Sequence, residues 1–372
     1  MNKPSINLEA QVALARKSVV SDGYEMSLGE IVNLYKNSEL KINPEYQRLF
    51  RWTDSQKTKF IESILLGIPI PPIFVFQLQS GVWELIDGLQ RLSTIFEFIG
   101  ILLDPKGELV SPSKLNGTIL LPSLKDISWS TGSPKDSLSI EMQLLVKRAR
   151  IRVEILKKES DIDAKYELFQ RLNTGGSKLS FQEVRNCTIA SLNMELFKLI
   201  KELSNYPNFK NLIPITNEAM EEQKLVELVI RFIVYNRYPY SKSAKLDVNE
   251  YLDDSVRKFV AEGGDSLTED VKLFKDTFDK LHEIAGKEVF KPWNVTKKTH
   301  QGPFSISGYE AISYGISFCL RKINESNVEV YKQKIINIWN DDFFKKYSGS
   351  GIRGTTRLEH LLPYAQKYFA AK

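Results

Sequence analysis

Residues 82–99 carry the sequence Val-Trp-Glu-Leu-Ile-Asp-Gly-Leu-Gln-Arg-Leu-Ser-Thr-Ile-Phe-Glu-Phe-Ile, which decides the first part of the fold. The opening run Val82–Ile86 is mainly apolar and predicts a strand. Asp87 and Gly88 then break the strand, and apolar residues recur at helical spacing over Leu89–Ile99. The stretch therefore predicts a strand, a tight loop and a helix in direct succession.

This predicted loop has the features of a phosphate-binding site. Gly88 has no side chain, so the backbone N–H groups can approach a ligand closely. The helix start adds unpaired N–H donors and a partial positive charge, and Arg91 could bind two phosphate oxygens. Asp87 could hold a metal ion, orient Arg91 or act as a base, and Gln90 could position a water or a base edge. The alternative is a cap and turn with a surface arginine.

Two further segments place arginines beside turns. Residues 43–52 read Asn-Pro-Glu-Tyr-Gln-Arg-Leu-Phe-Arg-Trp, and residues 169–176 read Phe-Gln-Arg-Leu-Asn-Thr-Gly-Gly. In the first, Arg48 lies among aromatic side chains that could stack a base. In the second, Arg171 and Asn173 precede a glycine pair that could bind an anion. The alternatives are an aromatic staple and a glycine helix cap. If the three Gln-Arg steps converge, they would form a cationic pocket suited to a triphosphate.

Strand patterns are confined to the first half of the chain. Residues 73–77 and 82–86 predict a hairpin, residues 150–156 predict a strand, and residues 1–25 predict a helical or frayed lead-in. From residue 193 onward, amphipathic stretches that predict helices cover 193–204, 219–236, 248–262, 267–285, 305–323 and 328–346. We therefore predict an α+β domain over residues 1–192 and a helical domain over residues 193–372.

The composition limits the classes of protein to which the chain could belong. The net charge is +5, from 51 basic and 46 acidic residues among 372, which permits an anionic partner without requiring one. Locally basic stretches make Lys297, Lys298, Arg353 and Arg357 candidates for DNA binding, with a solvated basic surface as the alternative. Two distant cysteines and no long apolar run predict a cytoplasmic protein without zinc, disulfides or membrane association.

Three blocks of this sequence resemble the N-terminal domain of GmrSD-type restriction endonucleases, a family also called domain of unknown function 262. The first block is Tyr-Gln-Arg…Trp at 46–52, and the second is Ile-Asp-Gly-x-Gln-Arg-Leu-Ser-Thr-Ile at 86–95. The third is Arg-x-Asn-Thr-Gly-Gly…Leu-Ser…Glu-x-Arg-Asn at 171–186. The order of the blocks makes the resemblance specific, and it spans about residues 25–190.

The resemblance implies a ParB/sulfiredoxin-like α+β fold for the first domain. It implies that Asp87, Gly88, Gln90 and Arg91 form a nucleotide-handling motif. It also implies that Arg48, Arg171 and Asn173, which match other polar positions of the family, face the same pocket. One departure is Leu89, which replaces a glutamine usual in the family and affects hydrolysis more than binding. A second is the lack of a His-Asn-His arrangement, which makes autonomous cutting by an HNH nuclease site unexpected.

The resulting hypothesis is a nucleotide-binding, NTP-hydrolysing component of a bacterial phage-defence or restriction-type system that acts on or senses DNA. Its ligands would be a nucleoside triphosphate, Mg²⁺ held by Asp87, and DNA, and a partner protein or a second copy could dock on the helical domain. One alternative is a non-enzymatic DNA-binding module with a ParB-like fold. Another is a metal-dependent DNA nickase without an HNH site.

Overall fold

The computed structural model describes residues 21–42, 52–157, 180–214, 223–240, 246–262, 267–349 and 351–371, together with Leu8, Glu9 and Val12. The chain divides into two compact units, Met1–Leu179 and Ser180–Lys372. Within the described residues, the first unit holds a mixed sheet with helices, and the second is helical apart from one short hairpin. The α+β class and the helical C-terminal region are thereby confirmed. The likeness to ParB and sulfiredoxin stays a prediction.

The first unit is built on a sheet with the strand order β1-β5-β3-β4-β2. The strands are β1 (Ser21–Ser27), β2 (Leu40–Lys41), β3 (Ile73–Gln77), β4 (Trp83–Asp87) and β5 (Arg150–Leu156). Strands β3 and β4 form the predicted antiparallel hairpin, and β3 also pairs in parallel with β5. Strand β3 therefore lies in the centre of the sheet, where alternate residues such as Ile73 and Val75 are fully buried.

Strand β1 contradicts the last part, residues 21–25, of the expected helical or frayed lead-in over residues 1–25, whereas Leu8, Glu9 and Val12 are helical. It pairs antiparallel with the whole of β5, from Ser21 opposite Leu156 to Ser27 opposite Arg150. In β1 only Met26 is buried, because the strand lies at the edge of the sheet. An edge strand that is mostly solvated lacks the apolar alternation from which strands are predicted, so pairing with β5 decides its conformation.

Of the four helices described from residue 28 onward in the first unit, three begin at a capping side chain and one begins at Gly88 without a side-chain cap. They are α1 (Leu28–Lys36), α2 (Asp54–Leu65), α3 (Leu89–Ile99) and α4 (Ile140–Arg148). Ser27 caps α1 by accepting from the N–H of Glu30, and Thr53 and Gln56 form a reciprocal capping box on α2. These caps fix the helix starts locally, before any tertiary contact forms.

The second unit consists mainly of helices around one apolar core. The helices are α5 (Phe181–Leu192), α6 (Met194–Ser204), α7 (Pro207–Leu212), α8 (Lys224–Arg237), α9 (Val248–Ala261), α10 (Leu267–Ala285), α11 (Ile306–Cys319), α12 (Val328–Asn337), α13 (Asp342–Ser348) and α14 (Gly354–Ala370). The core includes packed rings such as Phe209, Phe274 and Phe278. No helix within the described ranges is long and apolar enough to cross a membrane.

Two details of the second unit differ from the sequence expectation. The stretch 328–346 is two helices, because a 3-10 turn at Ile338–Asn340 separates α12 from α13. A hairpin of β6 (Trp293–Asn294) and β7 (Thr299–His300) interrupts the helices before α11. Helix α5 lies in the second compact unit, and the predicted domain boundary after residue 192 stays a prediction.

Candidate functional site

The predicted strand–loop–helix is present, and Gly88 is the residue on which it turns. Gly88 adopts φ 106° and ψ 12°, a left-handed conformation, at the N-cap of α3. Its α-carbon lies so close to Ile73 on β3 that a side-chain carbon would collide with Ile73 Cγ2. Both the dihedral angle and this close contact require glycine. Gly88 makes no side-chain cap, and the first N–H groups of a helix have no acceptor within the helix itself.

Arg91 is anchored beside this loop by two acceptors. Its Nη2 lies 2.6 Å from Asp87 Oδ2 and donates at 3.0 Å to the carbonyl oxygen of Pro72, just before β3. The Arg91 side chain is 18% exposed and that of Asp87 is 29% exposed. Arg91 Nε is buried and has no hydrogen-bond partner among the described residues. The guanidinium is therefore held in place from one side while part of its donor capacity is unused.

Gln90 connects the loop to the first family block. Its side-chain oxygen accepts from the backbone N–H of Trp52 at 3.1 Å, and Trp52 packs edge-on against Phe60 of α2. The backbone carbonyl of Gln90 accepts from the Thr94 hydroxyl at 2.7 Å. The end of the 46–52 block thus meets the 86–95 block directly. A tertiary contact of this kind between positions 38 residues apart is not evident from the sequence.

Three predicted pocket residues, Arg48, Arg171 and Asn173, lie outside the described residues. Their convergence on the Gly88 loop therefore stays a prediction. The described residues on either side are Trp52, which contacts Gln90, and Ser180, which caps helix α5.

The last part of the third family block has a structural arrangement within the second unit. Glu183 and Ser180 form a reciprocal capping box at the start of α5. Arg185 is 1% exposed, and its Nε lies 2.6 Å from Asp253 Oδ1 on α9. Its Nη1 donates to Gln182 Oε1 at 2.5 Å. Arg185 therefore joins α5 to α9. Asp253 could not be predicted as the partner of Arg185, because a single aspartate in an amphipathic helix does not indicate that it is buried in an ion pair.

The four residues predicted to bind DNA lie in different environments. Lys297 and Lys298 lie at the exposed end of the β6–β7 hairpin, and Arg353 is exposed directly before α14. The guanidinium of Arg357 is instead paired with Glu310, with Nε 2.7 Å from Oε2, and Glu310 is 1% exposed. Arg357 is thus part of an internal ion pair, which cannot be predicted from the presence of a basic residue in the sequence.

Metal binding by Asp87 would have to rely on few protein ligands. In the described ranges no three His, Cys, Asp or Glu side chains cluster as metal ligands would. Asp87 uses Oδ2 for Arg91, while Oδ1 has no partner among the described residues. Mg²⁺ is commonly held by one or two carboxylates together with waters and substrate phosphates, so one carboxylate oxygen suits an ion that arrives with a nucleotide.

Comparisons with known proteins agree with the three blocks. A search of protein-family models matched residues 28–190 to the family described as GmrSD restriction endonuclease, N-terminal domain. No curated protein and no solved structure matched the chain. The matched range includes β2, the Gly88 loop and Arg91, and it extends through most of α5. Residues 28–190 are therefore similar to the N-terminal domain of GmrSD restriction endonucleases, a restriction-type family.

Proposed function

We propose that the chain is the nucleotide-binding component of a bacterial restriction or phage-defence system, and that a nucleoside triphosphate binds at the loop Asp87–Arg91. The observation that best supports the proposal is the incomplete hydrogen bonding of the Arg91 guanidinium. Two acceptors position its guanidinium beside the start of α3, yet Nε has no hydrogen-bond partner among the described residues. A phosphate is a strong acceptor that such a guanidinium binds well.

The backbone of the loop supports the same ligand. The uncapped first turn of α3 offers N–H groups, and the helix dipole adds partial positive charge at this end. Gly88 packs against Ile73 and leaves no side chain between the backbone and a ligand. Because N–H donors and one arginine act together, the site favours an anionic group with several oxygens over a neutral ligand.

Asp87 and Gln90 would have different roles in this site. Asp87 holds Arg91 in place through Oδ2, and its Oδ1 is the oxygen that would hold Mg²⁺ or accept a proton from an attacking water. Mg²⁺, when bound, would neutralise phosphate charge. Gln90 is engaged with Trp52, so it is better suited to fixing the loop than to moving with a substrate.

Hydrolysis would be a second step of the proposal. Water would form a bond to the terminal phosphorus, the bond from that phosphorus to the bridging oxygen would break, and inorganic phosphate would leave. The residues at hand would contribute positioning and charge stabilisation, which carry most of the catalysis in phosphoryl transfer. The family match and the Arg91 geometry support binding more directly than they support this step.

The decisive test is a thermal shift of the purified chain against the four ribonucleoside triphosphates, each with and without Mg²⁺. A ligand that binds only the folded state at 100 times its Kd adds about 2.7 kcal/mol to stability. We expect one or more nucleotides to raise the Tm of the wild type. We expect Arg91→Lys to lose most of that rise, because lysine keeps the charge but not the planar fork.

Controls separate binding from folding. Arg148→Ala removes an exposed arginine of the same unit, in the last turn of α4, and should leave the shift unchanged. Circular dichroism of each variant without nucleotide reports whether it is folded. Asp87→Asn should lose the Mg²⁺-dependent part of the shift if Oδ1 holds the ion. A folded Arg91→Lys protein with the full nucleotide shift would refute the assignment.

A further inference from the structure

One end of the helical unit carries a concentration of exposed basic side chains. They come from the hairpin tip, the last turn of α13 and the residue before α14, and they are Lys297, Lys298, Lys345, Lys346 and Arg353. None of these five forms an ion pair with any residue in the described ranges. We call this set the basic end.

Packing between α11 and α14 defines this end. Glu310 near the start of α11 pairs with Arg357 in the first turn of α14. Further toward the C-terminus of both helices, Gly315 of α11 lies against Ala365 and Phe369 of α14. The contacts advance in the same direction along both helices, so α11 and α14 are parallel. Their N-termini therefore lie at the same end, and their dipoles add positive potential there.

Two contacts bring the hairpin and α13 to the same end. The His300 ring at the base of the hairpin lies 6.4 Å from the ring of Trp339, and Trp339 packs on Gly308 in the first turn of α11. The Ser307 hydroxyl, also in that turn, donates to the Ser348 carbonyl at the end of α13 at 3.2 Å. Cations that are far apart in sequence thus lie around the N-terminus of α11.

Two carboxylates close to this arrangement are already engaged. Glu310 is buried between Arg231 and Arg357, so it does not neutralise the exposed cations. Glu288 at the approach to the hairpin pairs with Lys291 at 2.6 Å. The exposed charge at the basic end is therefore predominantly positive, although the whole chain has a net charge of only +5.

We infer that the basic end binds the phosphodiester backbone of duplex DNA. Five separated cations on a protruding hairpin, a helix end and a loop suit a partner whose charges repeat along its length. Thr355 and Thr356 in the first turn of α14 add hydroxyl and N–H donors of the kind that contact phosphates. The surface would position DNA without selecting its sequence, and this inference rests on the restriction-type function of the chain.

The test compares three double variants of the full chain by fluorescence anisotropy with a labelled mixed-sequence DNA duplex. Lys297→Ala/Lys298→Ala removes the hairpin tip. Arg321→Ala/Lys322→Ala removes two exposed cations, also without ion pairs in the described ranges, just beyond the other end of α11. The helix has 14 residues, so its two ends lie about 21 Å apart.

We expect the hairpin variant to bind the duplex on the order of tenfold more weakly at moderate salt, and its log Kd against log salt slope to fall by about 1–2. We expect the Arg321/Lys322 variant to retain wild-type affinity and slope. Lys345→Ala/Lys346→Ala should weaken binding as the hairpin variant does. Because the substituted side chains are exposed in all three variants, circular dichroism should show each of them folded.

Three results would overturn the inference. They are no binding of the duplex by the wild type, equal losses in the hairpin and Arg321/Lys322 variants, and tighter binding of a single strand of the same length than of the duplex. Nucleotide binding at the Gly88 loop is measured separately by thermal shift. A lost nucleotide shift with intact DNA binding would refute the loop assignment alone, and the reverse result would refute the basic end alone.

Discussion

Two arginine–carboxylate clusters of this chain differ in how completely their hydrogen-bonding groups are satisfied. In the loop Asp87–Arg91, the side chain of Arg91 is 18% exposed and that of Asp87 is 29% exposed. Arg91 Nε has no hydrogen-bond partner among the described residues. In the second unit, Glu310 is 1% exposed and accepts from Arg231, Tyr235 and Arg357. The same residue types therefore form a candidate ligand site in one unit and an internal connection in the other.

The difference follows from desolvation. Burial of a charge costs free energy unless the charge is paired and its remaining hydrogen-bonding groups are satisfied. The hydrogen-bond network around a core charge is therefore expected to be complete. Arg91 differs because its Nε is buried yet has no hydrogen-bond partner among the described residues, a cost that a bound acceptor would remove. An incompletely bonded, partly exposed guanidinium is thus a better indicator of a phosphate site than the presence of a basic residue in the sequence.

The largest expected effect comes from breaking the buried network. Glu310→Ala leaves Arg231 and Arg357 without their shared carboxylate and should cost about 3–5 kcal/mol of the free energy of unfolding. Urea denaturation followed by circular dichroism measures this. Glu329→Ala is the control, since Glu329 is 67% exposed and meets Lys332 only at 3.8 Å. If both variants lost the same free energy of unfolding, the proposed difference between buried and exposed ion pairs would be wrong.

A smaller effect is expected from filling the space at Gly88. Gly88→Ala combines a left-handed dihedral angle with a collision against Ile73 and should destabilise the chain by about 2–4 kcal/mol. Gly81→Ala has a similar φ of 85° but no atom within 4 Å of the added carbon, and should cost about 1–2 kcal/mol. Urea denaturation of both variants isolates the contact with Ile73. Equal costs would show that only the dihedral angle requires glycine at position 88.

The smallest expected effect is a pH dependence at the edge of the buried network. Burial alone would raise the pKa of Glu227, but the charges of Arg231 and Lys224 outweigh it and hold the pKa at about 2. Because this lies below the ordinary value of 4.5, the stabilisation is complete above about pH 5 and is lost as the pH falls toward 2.

Glu227→Gln removes this titration, so the stability difference between wild type and variant should shrink by on the order of 2 kcal/mol between pH 6 and pH 3. Urea denaturation at several pH values measures that difference. A difference that is constant with pH would show that ionisation of Glu227 contributes nothing to the network.

Much of the local structure follows from the sequence because its causes are local. Thr53 with Gln56, and Ser180 with Glu183, start helices by capping boxes whose members are three residues apart. The alternation of Ile151, Val153 and Ile155 predicts β5 with the bounds that the structure shows. Strand β1 could not be predicted, because its conformation depends on pairing with β5 across the sheet.

The sequence by itself determined the α+β class, the family blocks and the position of Gly88 between a strand and a helix, since each depends on residues close together in the chain. Only the tertiary structure decided that Arg91 is anchored by Pro72, that Gln90 meets Trp52 and that Arg357 is paired with a buried glutamate. These depend on which distant groups are desolvated together, and the free energy of a charge is set by those neighbours rather than by its place in the sequence.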